Sequence, residues 1–221
     1  MSMIVAAPNV GKSAVALMVA TSNPQLYTLI FSADTDPVTA YQRLVAATDG
    51  VPVNSVKLGS SQAHRRYPRL QWCFEASPTI DDIVAEIDCY TLLYGRHPQL
   101  IIVDNLTDIW IDTDDYHGLR AAVDELHQIA RKTGAHVMVL HHAVGEYENG
   151  TQPIPLSGIS NKLAKKPELV ISLYRITDQW VDALGVCVIK NRNGPADRTA
   201  GQPKWLRVDF NRMGVVGEQV A

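Results

Sequence analysis

A chain of 221 residues is long enough to form one α/β domain with a buried core, without help from metals or disulfides. Hydrophobic residues make up 46% of the sequence and charged residues 19%, a balance that excludes an intrinsically disordered segment, a coiled coil and a disulfide scaffold. The formal net charge of −3 gives no global electrostatic reason to bind nucleic acid or anionic lipid, so any such contact must be local.

The cysteines and the apolar segments indicate the compartment in which the protein works. Cys73, Cys89 and Cys187 are widely spaced and form no Cys-x-x-Cys pair, which predicts reduced thiols and neither a disulfide framework nor a zinc site. No basic N-terminal segment precedes a long apolar stretch, and no apolar run approaches the length of a membrane span. We therefore expect a cytoplasmic protein without a membrane partner.

Apolar runs and helical patterns alternate along the chain. Strands are predicted at 3–7, 28–32, 100–103, 136–141, 169–174, 185–189 and 205–208. Helices are predicted at 12–20, 36–47, 80–94 and 118–133, and loops at 59–69 and 145–166. Because most strands are apolar throughout, we expect a mostly parallel sheet covered by helices on both faces, with the last strands antiparallel at its edge.

Two further expectations concern where elements begin. Thr79 followed by Asp82 resembles a capping box at the start of the third helix. The first strand begins beside the initiator methionine, so residues 1–221 are expected to form one domain with no domain before it.

The segment AAPNVGKS at 6–13 follows the first strand and leads into a helix, as a phosphate-binding loop requires. In such a loop the backbone N–H groups surround phosphate oxygens, Lys12 neutralises the β- and γ-phosphates of ATP, and the Ser13 hydroxyl is a ligand of Mg²⁺. Ala6 replaces the usual first glycine, which reduces the freedom of the turn but leaves the phosphate contacts. The predicted nucleotide-binding residues are Ala7, Pro8, Asn9, Val10, Gly11, Lys12, Ser13 and Ala14.

Acidic residues end two of the predicted strands. Asp104 follows the apolar run LIIV, an arrangement that places a carboxylate beside Mg²⁺ at the carboxyl edge of a sheet. Asp34 ends the second strand and could activate the attacking water as a general base. Alternatively, Asp34 and Asp36 cap the following helix, and both roles can hold if Asp36 is the cap.

Paired polar residues end two later strands. His141 and His142 are not expected to bind zinc, because nearby ligands at suitable spacing are missing. One histidine of the pair is expected to sense the nucleotide and the other to lie in the core. Lys190 and Arg192 leave a strand and precede a turn, a position suited to an arginine finger or to a solvated basic turn. Arg43 is expected near the base of the nucleotide or in an ion pair.

Several segments, in this order, resemble the RecA-fold motor domain of DnaB-type replicative helicases. FSAD at 31–34 resembles the family's Phe-Ser-Leu-Glu, and DNL at 104–106 resembles the Asp-Tyr-Leu after its Walker B strand. SGI at 157–159, followed by PELV at 167–170, resembles the family's Ser-Gly-Ser through Ala-Asp-Val-Val passage. KNRNGP at 190–195 nearly matches Lys-x-Arg-Asn-Gly-Pro and is the most specific of these segments. The resemblance covers nearly the whole chain and implies a RecA-like P-loop ATPase core.

The resemblance also implies roles for individual residues. It places Asp34 at the family's catalytic glutamate and His142 at its glutamine sensor, and it implies that Lys190 and Arg192 act in trans on the ATP of an adjacent subunit. The protein would then work as a homo-oligomer, a hexameric ring or a filament with ATP between subunits. The family's N-terminal domain and linker helix have no counterpart in the sequence.

In such rings the loops at 108–118 and 145–166 face a central channel and grip single-stranded DNA by its phosphates. The sequence departs from that expectation because the first loop is acidic. Its acidic residues are Asp108, Asp112, Asp114 and Asp115, whereas the positive charges of the second loop are Lys162, Lys165 and Lys166.

Three functions remain open from the sequence. The first is an ATP-driven helicase motor that moves along single-stranded DNA in replication, encoded by a phage or plasmid. The second is a RecA-like recombination or annealing ATPase that coats single strands without unwinding. The third is a regulatory or loading ATPase that binds a replication protein and no DNA, which the acidic loop would suit.

Overall fold

The computed structural model describes residues 1–111, 116–159, 163–178 and 181–219. The strands are β1 (Ser2–Ala6), β2 (Thr28–Ser32), β3 (Leu70–Cys73), β4 (Leu100–Asp104), β5 (His136–His142), β6 (Leu169–Asp178), β7 (Val181–Asn191), β8 (Lys204–Asp209) and β9 (Gly214–Gln219). The α-helices are α1 (Lys12–Thr21), α2 (Pro37–Asp49), α3 (Ile80–Tyr94) and α4 (Tyr116–Thr133). Short 3₁₀ helices are Val53–Ser55, Ala63–Arg66, Leu106–Asp108, Gly145–Tyr147, Leu156–Gly158 and Leu163–Lys165.

All described strands join one sheet in the order β3-β2-β4-β5-β1-β6-β7-β8-β9. The first six strands in this order, from β3 at the edge to β6, are parallel to one another. β7, β8 and β9 continue the sheet in antiparallel pairs. The prediction of a mostly parallel sheet with antiparallel C-terminal strands at its edge is therefore confirmed. This order places the carboxyl ends of β1, β2, β4 and β5 beside one another along one edge of the sheet.

The sequence analysis missed both edge strands, β3 and β9. β3 has only four residues, none fully buried, so it lacks the apolar run by which the inner parallel strands were recognised. In β9, Val215 and Val216 are largely exposed, because this strand packs against little besides β8. The loop predicted at 59–69 contains the 3₁₀ helix Ala63–Arg66, and the loop at 145–166 contains three more.

Side chains just before two of the helices cap their first turns. Thr79 accepts from the backbone N–H of Asp82, whose side chain accepts from that of Thr79, so the predicted capping box is present. Asp36 accepts from the N–H groups of Val38 and Thr39, which settles its role as the cap of α2. Helix α1 differs because Gly11, at its N-cap, supplies no side-chain hydrogen bond.

The core lies on both faces of the parallel strands. On one face Val5, Leu29 and Val103 pack with residues of α3 and α4, and on the other Ile4 and Ile102 pack with α1. Burial on both faces explains why these strands read as continuous apolar runs. No helix in the described ranges is long and apolar enough to cross a membrane.

Gly185 on β7 tests the packing of the antiparallel strands. A Cβ at this position would overlap the ring of Tyr174 on β6, and that tyrosine is buried. We expect Gly185→Ala to lower the free energy of unfolding by about 1–3 kcal/mol, because the ring cannot move without repacking. Urea unfolding followed by circular dichroism measures the change.

Gly214→Ala is the matched control, since a Cβ there would be 3.7 Å from the carbonyl oxygen of Arg212, an ordinary contact. It should change the free energy of unfolding by less than about 0.5 kcal/mol. Equal losses in the two variants would contradict the packing described for Gly185.

Candidate functional site

A cleft of about 820 Å³ opens at the carboxyl edge of the parallel strands. The segment after β1, the end of β4, the end of β5 and the residues after β2 all line it. In register, Ala6 lies opposite His142, and Ser32 lies opposite Asp104, so the ends of four strands meet here. The structure thus brings together four of the six predicted catalytic residues, namely Lys12, Asp34, Asp104 and His142.

The loop between β1 and α1 wraps around one end of the cleft. Asn9 (φ 61°) and Gly11 (φ 122°) adopt positive φ angles, and a Cβ on Gly11 would lie 2.5 Å from the ring of Phe210. Within the described part of the chain, the N–H groups of Lys12, Ser13 and Ala14 have no hydrogen-bond acceptor. These donors at a helix N-terminus form the kind of site that binds a phosphate.

The predicted nucleotide-binding residues divide into two groups. Ala7 and Val10 are buried and pack in the core beneath the loop, so only their backbone can contribute to the site. The others line the cleft with their own atoms: Pro8, Asn9, Gly11, Lys12, Ser13 and Ala14.

Lys12 is 5% exposed, although its side chain carries a charge. Its Nζ donates to the carbonyl oxygens of Ala6 (3.0 Å) and Ala7 (2.9 Å) and lies 3.0 Å from Nδ1 of His142. Burial lowers the pKa of Lys12 to about 8, against the opposing effect of the Asp104 and Asp34 carboxylates. An ammonium group in such surroundings is stabilised by an additional negative charge, which a polyphosphate would provide.

Ser13 and Asp104 form the predicted metal pair. Burial raises the pKa of Asp104, while a hydrogen bond from the Ser13 hydroxyl and the charge of Lys12 act in the opposite direction. A hydroxyl and a carboxylate that line the same cleft are hard oxygen ligands of the kind that Mg²⁺ prefers. The residues present therefore fit a magnesium ion.

Asn105 links two of the predicted residues, and the sequence analysis had assigned it no role. Its side-chain Nδ2 lies 3.3 Å from Oδ2 of Asp34 and 3.0 Å from Nε2 of His142. Its Oδ1 accepts from the backbone N–H of Thr107 and from the Thr107 hydroxyl, which fixes the orientation of the amide. A continuous path of polar contacts thus runs from Lys12 through His142 and Asn105 to Asp34. The only sequence signal was its position directly after Asp104.

The two adjacent histidines lie on opposite faces of β5, as alternation in a strand requires. His142 contacts Lys12 in the cleft, and burial together with the charge of Lys12 lowers its pKa. His141 is buried in the core, and burial lowers its pKa to about 4. Its Nδ1 has no hydrogen-bond partner among the described residues, so the expected core histidine is present but not fully satisfied.

Lys190 and Arg192 lie outside the cleft of their own chain. They are at the end of β7, two strands away from β1 in the sheet. Lys190 Nζ donates to three backbone carbonyl oxygens, and Arg192 forms an exposed ion pair with Glu168 at 3.3 Å.

A further part of the cleft lining, which packs against Gly11 of the loop, comes from residues that the sequence analysis did not identify. The guanidinium group of Arg175, on β6, lies 4.6 Å from the centre of the Phe210 ring. Phe210, Asn211 and Met213 belong to the turn between β8 and β9. Arg43 also lines the cleft, with Nη1 3.3 Å from the Thr35 hydroxyl and its charge close to Asp104, so it lies at the carboxylate end.

Part of the two predicted DNA loops can be placed. Asp108 accepts from the backbone N–H of Asn105 and completes the capping box of a 3₁₀ helix, so this carboxylate has a structural role. Lys166 forms an ion pair with Asp124 of α4 at 3.4 Å. Asp112, Asp114, Asp115 and Lys162 lie outside the described residues.

Comparisons with known proteins agree with this geometry. Residues 1–145 match the AAA domain family. The Gene 65 protein of Mycobacterium phage L5 is 34% identical over 230 residues, an alignment that covers 98% of this chain and 82% of that protein.

Two solved structures are similar in fold. A DnaB-like replicative helicase, described with its primase interactions, superposes with a TM-score of 0.80 and 16% identity over 98% of this chain. The chain spans 57% of that helicase's length. A second solved structure, described as an ATPase domain, gives a TM-score of 0.79 and 17% identity, covering 97% of this chain and 83% of that one. The chain therefore belongs to the AAA domain family, and its fold is that of the ATPase domain of DnaB-like replicative helicases.

Proposed function

We propose that residues 1–221 form one ATPase domain that hydrolyses ATP and works as a DnaB-like motor on single-stranded DNA. The observation that carries this proposal is the buried Lys12 ammonium, which lies in one cleft beside two carboxylates and three backbone N–H groups that have no acceptor among the described residues. Few ligands other than a polyphosphate with a bound cation would satisfy both the donors and the acidic residues of such a site.

Each residue of the cleft has a distinct task in this proposal. Lys12 and the N–H groups of the loop hold the β- and γ-phosphates, while Ser13 and Asp104 hold Mg²⁺, which neutralises phosphate charge when bound. Asp34 is the candidate base that accepts a proton from the attacking water. Asn105 holds Asp34 through its side-chain amide, and His142 contacts both Asn105 and Lys12, so the lysine and the base are positioned together.

Arg175 and Phe210 offer a surface for the base of the nucleotide. The Arg175 and Phe210 pair provides a flat cation and an aromatic ring, both of which stack well on purines. The backbone N–H of Val53 donates to the carbonyl oxygen of Asn211, which ties this turn to the segment after α2. We infer that the nucleotide spans the cleft from Lys12 to Phe210.

Assembly and DNA binding rest on the fold likeness and on the position of Arg192. Because Arg192 lies outside its own cleft and its ion pair with Glu168 is exposed, it can move toward the ATP of a neighbouring subunit. We propose a homo-oligomer, a hexameric ring or a filament, that contacts single-stranded DNA through the loops at 108–118 and 145–166. The similar helicase is described with a primase, which favours a replication protein or loader as a further partner.

Hydrolysis by the purified chain with and without single-stranded DNA tests the proposal. Lys12→Ala should lower the rate of ATP hydrolysis by at least about a hundredfold, because it removes the main positive charge that stabilises the phosphate oxygens in the transition state. Lys204→Met, which removes an exposed lysine at the start of β8 that is not among the residues lining the cleft, is the matched control and should hydrolyse ATP like the wild type.

The response to DNA separates the candidate functions. Stimulation by single-stranded DNA that Lys12→Ala abolishes supports the motor, and micrographs of rings rather than filaments then favour a helicase over a RecA-like coating ATPase. A rate of ATP hydrolysis that single-stranded DNA does not change would overturn the proposal that the chain alone is a DNA motor. It would favour the regulatory or loading ATPase. A wild type without hydrolysis would overturn the whole proposal.

The lowered pKa of Lys12 gives a second test. In the free protein half of the Lys12 side chains are neutral near pH 8, and phosphates should restore the charge, so binding of MgADP at pH 8 should take up about half a proton. Above this pH the affinity should fall, since the neutral amine must first gain a proton. Titration calorimetry in two buffers of different ionisation enthalpy measures the uptake.

Two controls accompany this measurement. Lys12→Arg keeps its charge at every pH used and should bind without proton uptake. Wild type at pH 6.5, where Lys12 is already charged, should show little uptake. The same uptake in Lys12→Arg as in the wild type would assign the titration to another group.

A further inference from the structure

Lys190 uses all the donors of its ammonium group inside its own chain. Its Nζ lies 2.7 Å from the carbonyl oxygen of Ala164, 2.9 Å from that of Lys165 and 2.6 Å from that of Pro167. An ammonium group has three N–H donors and no acceptor, so these three bonds leave none for another ligand.

Two of these carbonyl groups need a partner from outside their own helix. Ala164 and Lys165 belong to the C-terminal turn of the 3₁₀ helix Leu163–Lys165, where the last carbonyls have no donor within the helix. A cation placed there forms hydrogen bonds with these groups. Lys190 is therefore bonded to the end of the segment that contains Lys165 and Lys166, immediately before β6.

The same segment is anchored on its other side. Leu163 and Ala164 are buried in the core, and Lys166 forms its ion pair with Asp124 of α4. Lys190 thus holds a short stretch of chain between the core and the end of β7. Removing the ammonium would leave three carbonyl groups without their donor, although the apolar contacts would remain.

Arg192 differs from Lys190 in each of these respects. Its side chain is 57% exposed, and Glu168 is its one side-chain partner in the described part of the chain, at 3.3 Å. An exposed pair of this kind contributes little to stability, so Arg192 can leave Glu168 at small cost. For Lys190 to reach a phosphate on another subunit, three charged hydrogen bonds would have to break, at a much greater cost.

We propose that Lys190 is a positioning residue that fastens residues 163–167 to β7, and that Arg192 alone acts on the nucleotide of a neighbouring subunit. The proposal revises the paired role that the resemblance implies for Lys190 and Arg192. Its first part rests on the geometry of one chain. Its second part rests on the proposed ATPase function.

Amide hydrogen exchange of the full chain without nucleotide tests the first part. Lys190→Met should speed exchange of the amides in 163–168 by about tenfold or more, while those of β2 exchange as in the wild type. Arg192→Ala and Lys204→Met should leave the exchange of 163–168 unchanged. Lys190→Gln, with two N–H donors, should give an intermediate increase and serves if Lys190→Met does not fold. Unchanged exchange in both Lys190 variants would overturn the proposal.

Kinetics test the second part. Lys190→Met should raise the concentration of single-stranded DNA needed for half-maximal stimulation several-fold, because Lys165 and Lys166 are no longer held in place. Arg192→Ala should instead lower kcat at saturating DNA and leave that concentration unchanged. Loss of kcat alone in Lys190→Met, with no change in the DNA concentration needed, would show that Lys190 acts on the nucleotide and would overturn the proposal. A wild type without ATP hydrolysis would remove the proposed function and the role of Arg192, whereas the exchange result would still decide the role of Lys190.

Discussion

The buried ammonium group of Lys12 is the interaction on which the rest of the site depends. A charge that is nearly excluded from water must be compensated by its surroundings, and here two loop carbonyls, an imidazole and two carboxylates share that task. These groups come from the ends of four parallel strands. The strand order is therefore what allows one lysine to interact with all of them, and it also explains why the cleft lies at this edge of the sheet.

Much of the fold and of the cleft could be predicted because the signals were local. The inner strands are buried on both faces, which gives short apolar runs, and Asp34, Asp104 and His142 each follow such a run directly. The caps Thr79 with Asp82 and Asp36 could be predicted for the same reason, since caps depend on residues only a few positions apart. The edge strands β3 and β9 could not be predicted because half-exposed strands lack a continuous apolar pattern.

The remaining residues could not be predicted because their roles depend on contacts between distant parts of the chain. Arg175 and Phe210 are 35 positions apart and meet only after β7 and β8 have added to the sheet. Asn105 gains its role from Asp34 and His142, which lie on neighbouring strands. Lys190 shows the converse problem. Its sequence pattern suggested a mobile cation, and only the folded chain reveals the three carbonyl groups that hold it.

The uncapped start of α1 has a consequence for the lifetime of the protein. In α2 and α3 a side chain just before the helix accepts from N–H groups of the first turn. In α1 no side chain does so, and these donors are left for a ligand. A ligand that binds only the folded chain stabilises it by an amount that grows with ligand concentration. The loop at 7–11 and the helix behind it would thus be more open to proteases in a cell short of nucleotide.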